Sequence, residues 1–311
     1  TTTTTNDTTT TTTTNENSIP SSIVEQRTKA WVKRLLVELQ ICPFTKSVTK
    51  SGQGLGDLGV PVARIAYHTS GYGGNFDNND SNNDNASRNN QKNVYQLLAD
   101  TWRAIDDMIV HAGPSGSHGI SSILLAAPGW DDDWEAWSGP LFAVLEQCVV
   151  AARAESHVGV VCFHPRYATP DGTSWPGFGQ MHSVPRLQGW VNDANEKEEA
   201  AAAKRKQGKQ PQPPQQVPAV DGLVDQQECP AGASSSTTTT STTSLDDIAA
   251  GGAWQRRTPH ATINVLRANQ LAVAESRRNT PQLYARNVQT LMDIGNEQLS
   301  KDLMRERNMM Q

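Results

Sequence analysis

Two short apolar runs, residues 120–127 (ISSILLAA) and 158–164 (VGVVCFH), decide the fold of this chain. The first run lies between Gly119 and Pro128, and the second is stopped by Pro165. Runs of this length and composition, bounded by Gly and Pro, are typical of strands that are buried on both faces. The sequence therefore predicts a sheet at the centre of the protein.

The segments around these runs carry the spacing of amphipathic helices. The sequence predicts five helical segments. They run from the capping box Ser22-Ile23-Val24-Glu25 to Gln40, over 93–110, over 134–155, from Thr258-Pro259 through Ala274, and from Thr280-Pro281 to Gly295. A further strand is predicted over 60–68 (VPVARIAYH). The order α-β-α-β-α-β-α-α predicts an α/β fold: a single compact domain with a small, largely parallel sheet of about three strands flanked by helices.

Low-complexity segments set the limits of that domain. Residues 1–21 are rich in Thr and Asn, 71–92 in Asn, Asp and Gly, and 193–252 in Ala, Gln, Pro, Ser and Thr. Such segments bury too little apolar surface to offset the entropy of ordering, so they are predicted to be disordered. The predicted domain spans 22–295 with two disordered insertions, and 296–311 forms a helical or frayed C-terminal tail.

The composition also limits the binding partners and the cellular location that we expect. The formal net charge is −5, which argues against nucleic acid as a partner, and no apolar window is long enough to span a membrane. Four cysteines are too few for a disulfide framework, which favours a reducing, intracellular location, cytoplasmic or organellar. The sequence does not begin with Met and so leaves open an upstream targeting segment. Neither a cofactor nor a metal ion is predicted, and oligomeric state is not predicted.

Cys42 and His164 are the candidate catalytic residues. Cys42 precedes Pro43, where it would cap a helical turn whose amides lower its pKa and create a nucleophile. The alternative is a small apolar residue at a helix end. His164 ends a predicted strand, where it could act as a general base or bind metal with Cys162. The alternatives are a histidine hydrogen-bonded to backbone and a buried core thiol.

Arginines supply a candidate anion site. Arg256 and Arg257 precede the predicted helix at Thr258, where guanidinium groups and free amides would bind an anion together. Arg286 with Asn287 would add donors, and the alternative is surface arginine. Residues 131–133, three aspartates at a helix start, are explained by the helix dipole without a metal.

An ordered set of short motifs resembles a known family. The pieces are WVKR (31–34), ICPF (41–44), CFHPRY (162–167), RTP (257–259) through Leu266-Arg267, and RNVQTL (286–291). The set resembles the domain-of-unknown-function family numbered 1415, a bacterial-type core that here would carry low-complexity insertions. The sequence departs from the family pattern at Arg256, Thr258, His260, Ala261 and Asn264. The family has no assigned activity, so the resemblance implies a site around the matching polar residues: Cys42, His164, Arg257, Arg267 and Arg286.

The candidate residues lead to three hypotheses for function. The first is a hydrolase or transferase acting on a small anionic substrate, with Cys42 as nucleophile and His164 as base. Its substrate-binding residues would be Arg257, Arg286, Tyr167 and Arg267. The second is a non-catalytic module that binds an anionic metabolite, in which Cys42 only packs. The third is a scaffold that recruits partners through its polar insertions, one of which contains Pro211-Gln212-Pro213-Pro214.

Overall fold

The structure is a computed structural model that describes residues 19–55, 62–71, 92–111, 119–173, 183–207, 243–276 and 280–309. Its strands are β1 (Lys50–Ser51), β2 (Ala63–Thr69), β3 (Ile120–Ala126), β4 (Val158–Phe163) and β5 (Thr262–Arg267). Its α-helices are α1 (Ser21–Trp31), α2 (Val94–Val110), α3 (Trp134–Ala136), α4 (Phe142–Ala151), α5 (Val184–Gln207), α6 (Leu245–Trp254), α7 (Ala268–Ser276), α8 (Thr280–Ile294) and α9 (Asn296–Arg307). Single π-helical segments extend α1 (Val32–Glu38) and join α3 to α4 (Trp137–Leu141).

The sheet has the strand order β1-β2-β3-β5-β4. Strands β2 and β3 pair in parallel, whereas the β1–β2, β3–β5 and β4–β5 pairs are antiparallel. The α/β class is confirmed, and the three apolar strands of the sequence (β2, β3 and β4) run in the same direction. The prediction of a largely parallel sheet of about three strands was wrong in detail, because β5 lies between β3 and β4 in the opposite direction.

Strand β5 falls where the sequence predicted a helix beginning at Thr258. The spacing of Ile263, Leu266 and Leu271 fits a helical period, but the first two belong to the strand and Leu271 to helix α7. Alternating residues of β5 face opposite sides of the sheet, as a strand requires. A six-residue segment is too short for periodicity to separate the two states, and pairing on both edges decides it.

Other limits of the predicted domain also change. Residues 193–207 continue helix α5, and 245–252 lie in α6, so the predicted disordered insertion 193–252 is ordered at both ends. Residues 193–207 are rich in Ala, Glu and Lys, which favour helix. Residues 245–252 are held by packing, because Ile248 is buried. Segments 1–18, 72–91 and 208–242 lie outside the described residues. Helix α1 forms without a side-chain capping bond, and the predicted tail forms α9.

Helices cover both faces of the sheet. One core lies between the sheet and helices α2 and α4, with Ile123, Leu125, Val160 and Ile263 at its centre. The other lies between the sheet and helices α1, α8 and α9, and contains Trp31, Leu35, Leu124 and Leu291. The result is a three-layer arrangement. Among the described helices, none combines the length and apolar character that crossing a membrane would need.

Candidate functional site

A cavity of about 190 Å³ lies on the face of the sheet that α1 and α8 cover. Side chains of four strands form its floor, among them Ile65, Leu124, Val161 and Leu266. Its walls come from α1 and its π-helical extension, the loop 41–45, and helices α7 and α8. An apolar concave space with a few convergent polar groups is the usual form of a small-molecule site.

Cys42 lies in the wall of this cavity, at the head of a tight turn. Pro43 is the second residue of the turn, which is closed by a hydrogen bond from the Thr45 N–H to the Cys42 carbonyl (3.4 Å). The Thr45 hydroxyl donates to the Cys42 sulfur at 3.4 Å. The turn thus holds a hydroxyl donor against the sulfur.

The state of the Cys42 thiol is set by two opposing effects. Burial raises its pKa above the usual value, and the hydrogen bonds from Thr45 and Phe44 lower it by less. The net effect is a raised pKa, because the loss of hydration destabilises the thiolate by more than the hydrogen bonds stabilise it. The thiol form is therefore favoured at neutral pH in the unliganded protein.

His164 lies on the opposite side of the sheet from this cavity. Val161 and Phe163 face the cavity, whereas Cys162 packs in the core between the sheet and α4. His164 follows them with its ring against Trp134 and Trp137, in the same layer as Cys162. The structure therefore does not bring Cys42 and His164 together as nucleophile and base.

Both ring nitrogens of His164 are occupied by backbone groups. The Nε2 atom lies 3.0 Å from the carbonyl oxygen of Trp130, and Nδ1 accepts from the Arg166 N–H at 3.0 Å. The residue is fully buried, and burial lowers its pKa. A neutral imidazole with both nitrogens engaged has no lone pair for a substrate, so the backbone-bonded alternative describes His164.

The two arginines predicted to bind substrate instead donate hydrogen bonds to backbone carbonyls. Arg257 donates through Nε to the Tyr167 carbonyl (3.0 Å) and stacks over the Trp254 ring at 4.5 Å. Arg286 is exposed and donates to the Gln40 carbonyl at 2.8 Å. Burial lowers the pKa of Arg257. These contacts hold loops in place, and the two arginines do not line the cavity.

Tyr167 and Arg267 belong to the core on the far side of the sheet. The Tyr167 hydroxyl accepts from Arg256 at 3.3 Å, and burial raises the tyrosine pKa. Arg267 donates to the carbonyls of Ile120 (2.7 Å) and His111 (3.2 Å). Of the predicted catalytic and substrate-binding residues, Cys42 is thus the one that the structure places in the cavity. Arg256 and Asn287, which were predicted to contribute to the anion site, also line it.

Four amide side chains line the same cavity: Gln255, Asn264 and Gln270, which the sequence did not single out as a site, and Asn287, which was predicted to add a donor beside Arg286. The described lining residues include no Asp, Glu, His or Lys, and their one charged member is Arg256. Its guanidinium bonds to Tyr167 and lies 5.5 Å from that ring. Apart from that guanidinium, the described lining is uncharged and largely apolar. Isolated Gln residues give no signal in a sequence, so Gln255 and Gln270 could be found as lining residues only in the folded chain.

A second polar group lies buried outside the cavity, at the ends of β3 and β5. The Asp131 carboxylate accepts from His260 Nδ1 (2.8 Å), from the Ala261 N–H (2.7 Å) and from Arg307 (3.4 Å). Both Asp131 and His260 are buried. The helix-start explanation for Asp131 was therefore wrong: its neighbour Asp133 caps α3, while Asp131 ties α9 and the start of β5 to the loop after β3.

Comparison with family models, with curated proteins and with solved structures found no match to this chain. The resemblance to the domain-of-unknown-function family numbered 1415 therefore stays a prediction. Evidence on function comes from the geometry of the site alone.

Proposed function

We propose that the protein binds a small, uncharged and largely apolar molecule in the cavity beside Cys42. The observation that carries the proposal is the character of the cavity: about 190 Å³ of space, apolar on its floor, with neutral amide groups in its walls. A cavity of about 150 Å³ in another protein's apolar core binds benzene. The cavity beside Cys42 has room for a molecule the size of one aromatic ring with a small substituent.

The largely uncharged lining argues against the anionic ligand expected from the sequence. An anion in this space would lose its hydration, and the one charged group of the described lining, the Arg256 guanidinium, already bonds to Tyr167 and lies against its ring. Burying an unpaired charge costs more than apolar contact returns. The binding-module hypothesis is therefore kept with a different site, the cavity beside Cys42 in place of the arginines, and with an uncharged ligand in place of an anionic one.

A ligand titration tests the proposal. The full chain is heated in the presence of toluene, whose binding should raise the free energy of unfolding by about 1.4 kcal/mol at ten times its dissociation constant. Leu266→Trp, which adds bulk at the cavity floor, should abolish the effect; Val161→Leu fills less space and should weaken it. Val144→Trp, on the exposed face of α4, is the matched control.

Two results would contradict the proposal. One is the absence of stabilisation by toluene at any soluble concentration. The other is equal stabilisation of the wild type and of a folded Leu266→Trp variant, because the ligand would then bind elsewhere.

A second candidate is a thiol-dependent enzyme that uses Cys42. The observation that favours it is the Thr45 hydroxyl that donates to the Cys42 sulfur, which would stabilise a thiolate once it forms. His164 is not placed to act as the base, so the proton would have to leave to the substrate. Loss of turnover in Cys42→Ser, with toluene binding retained, would separate this candidate from simple binding.

A further inference from the structure

Two of the amides in the cavity wall have a free end. Gln255 and Gln270 are 6% and 5% exposed, and both line the cavity. Within the described part of the chain, Gln255 Nε2 and Gln270 Oε1 have no hydrogen-bond partner. Buried polar atoms without partners are rare because each one loses its bonds to water and gains nothing in return. They mark the places where a ligand would form hydrogen bonds.

The free end of Gln255 is its nitrogen. Asn287 fixes this orientation, because its Nδ2 donates to the Ile41 carbonyl at 2.8 Å and must therefore be the amide nitrogen. The same nitrogen lies 3.3 Å from Gln255, which presents its oxygen, Oε1. The Gln255 NH₂ group, on a side chain that lines the cavity, is left as a donor without a partner.

The free end of Gln270 is its oxygen. Thr45 gives its hydroxyl hydrogen to the Cys42 sulfur, so Ser51 supplies the hydrogen in the 3.4 Å contact between Ser51 and Thr45. The Ser51 oxygen then accepts from Gln270 Nε2 at 3.3 Å. Each hydroxyl has one hydrogen to give, and this direction uses both. The Gln270 carbonyl oxygen is left as an acceptor.

We propose that the ligand is an uncharged carboxamide on an apolar body of about one ring. Its carbonyl oxygen accepts from Gln255 and its N–H donates to Gln270. This inference rests on the proposed function and names its ligand class. A carboxylate of the same shape has no hydrogen for Gln270 and places negative charge against a carbonyl oxygen. A ketone satisfies Gln255 and leaves Gln270 without a partner.

Three probes of nearly equal size separate these contributions. Benzamide has the acceptor and the donor, acetophenone has the acceptor alone, and benzoate carries the charge. Each is titrated into the full chain, with toluene as the probe for the cavity itself. We expect benzamide to bind at least tenfold more tightly than acetophenone, and benzoate to bind most weakly.

Two variants of similar shape assign the selectivity to its residues. Gln255→Met should weaken benzamide and acetophenone alike. Gln270→Met should weaken benzamide tenfold and leave acetophenone unchanged. Equal affinities of wild type for toluene, acetophenone and benzamide would overturn the amide proposal while leaving the cavity proposal standing. Failure of all four probes to bind would overturn both, and tightest binding of benzoate would restore an anionic ligand.

Discussion

Asp131 is the residue whose loss should cost the most stability outside the apolar cores. Asp131→Ala removes the acceptor of two short bonds, to His260 Nδ1 and to the Ala261 N–H, and leaves both donors buried. A hydrogen bond to a charged group contributes about 1.5–3 kcal/mol, and the substitution removes two such bonds. We expect a loss of about 3–5 kcal/mol in the free energy of unfolding.

Urea denaturation followed by tryptophan fluorescence measures this loss, since the chain has eight tryptophans and Trp130 adjoins the site. Asp132→Ala is the matched control, because Asp132 is exposed and should change stability by no more than about 0.5 kcal/mol. A loss below about 1 kcal/mol in Asp131→Ala, or one equal to the control, would show that this buried group does not tie the two strand ends together.

Three further predictions concern a thiol, a histidine and a glycine. Because burial raises its pKa, Cys42 should be alkylated by iodoacetamide more slowly than a free thiol at pH 7.4. Alkylation should be slower still in Thr45→Val, which removes a hydrogen bond that lowers the pKa. Peptide mapping measures the rates, and rates equal to those of a free thiol would contradict the prediction. Because burial lowers the pKa of His164, the folded state binds its proton less readily than the unfolded state, so wild-type stability falls as pH drops below about 6.5. His164→Gln lacks this decline, so the stability difference between the two proteins should narrow between pH 8 and pH 5; a constant difference argues against the prediction. Gly252→Ala should lower the free energy of unfolding by about 1–3 kcal/mol, because the new Cβ would lie 2.5 Å from Leu187 and 2.7 Å from Thr169. Gly189→Ala is the control, since a Cβ there would meet open space and should not destabilise the protein. Equal thermal shifts for the two variants would show that the packing around Gly252 is looser than the structure indicates.

The elements that could be predicted from the sequence are those whose pattern is local. Strand β3 is an apolar run between Gly119 and Pro128, and β4 is an apolar run that ends shortly before Pro165. Helix α8 ends at Ile294, just before Gly295, whose φ of 85° suits glycine. Strand β5 could not be predicted in this way, because its state depends on pairing with β3 and β4, which are distant in the sequence. Nor could the burial of Asp131, whose partners lie 129 and 130 residues away.

The candidate site was harder to predict for a related reason. Charged and reactive side chains attract attention in a sequence, yet Arg257, Arg267 and Arg286 have reach enough to bond backbone carbonyls, and the fold uses them in that way. Cys42 was predicted because the turn at Pro43 is local. The glutamines gained significance only when the fold buried them without partners.

The most direct test of ligand binding in the cavity uses intermolecular nuclear Overhauser effects from benzamide to assigned methyl groups. One pair of adjacent residues on β3 and one on β4 provide the contrast. Leu124 and Val161 line the cavity, whereas their neighbours Leu125 and Val160 face the opposite core. We expect contacts to Leu124 and Val161 and none to Leu125 and Val160. Contacts to neither pair, or to the exposed Val144 of α4 instead, would contradict binding in this cavity.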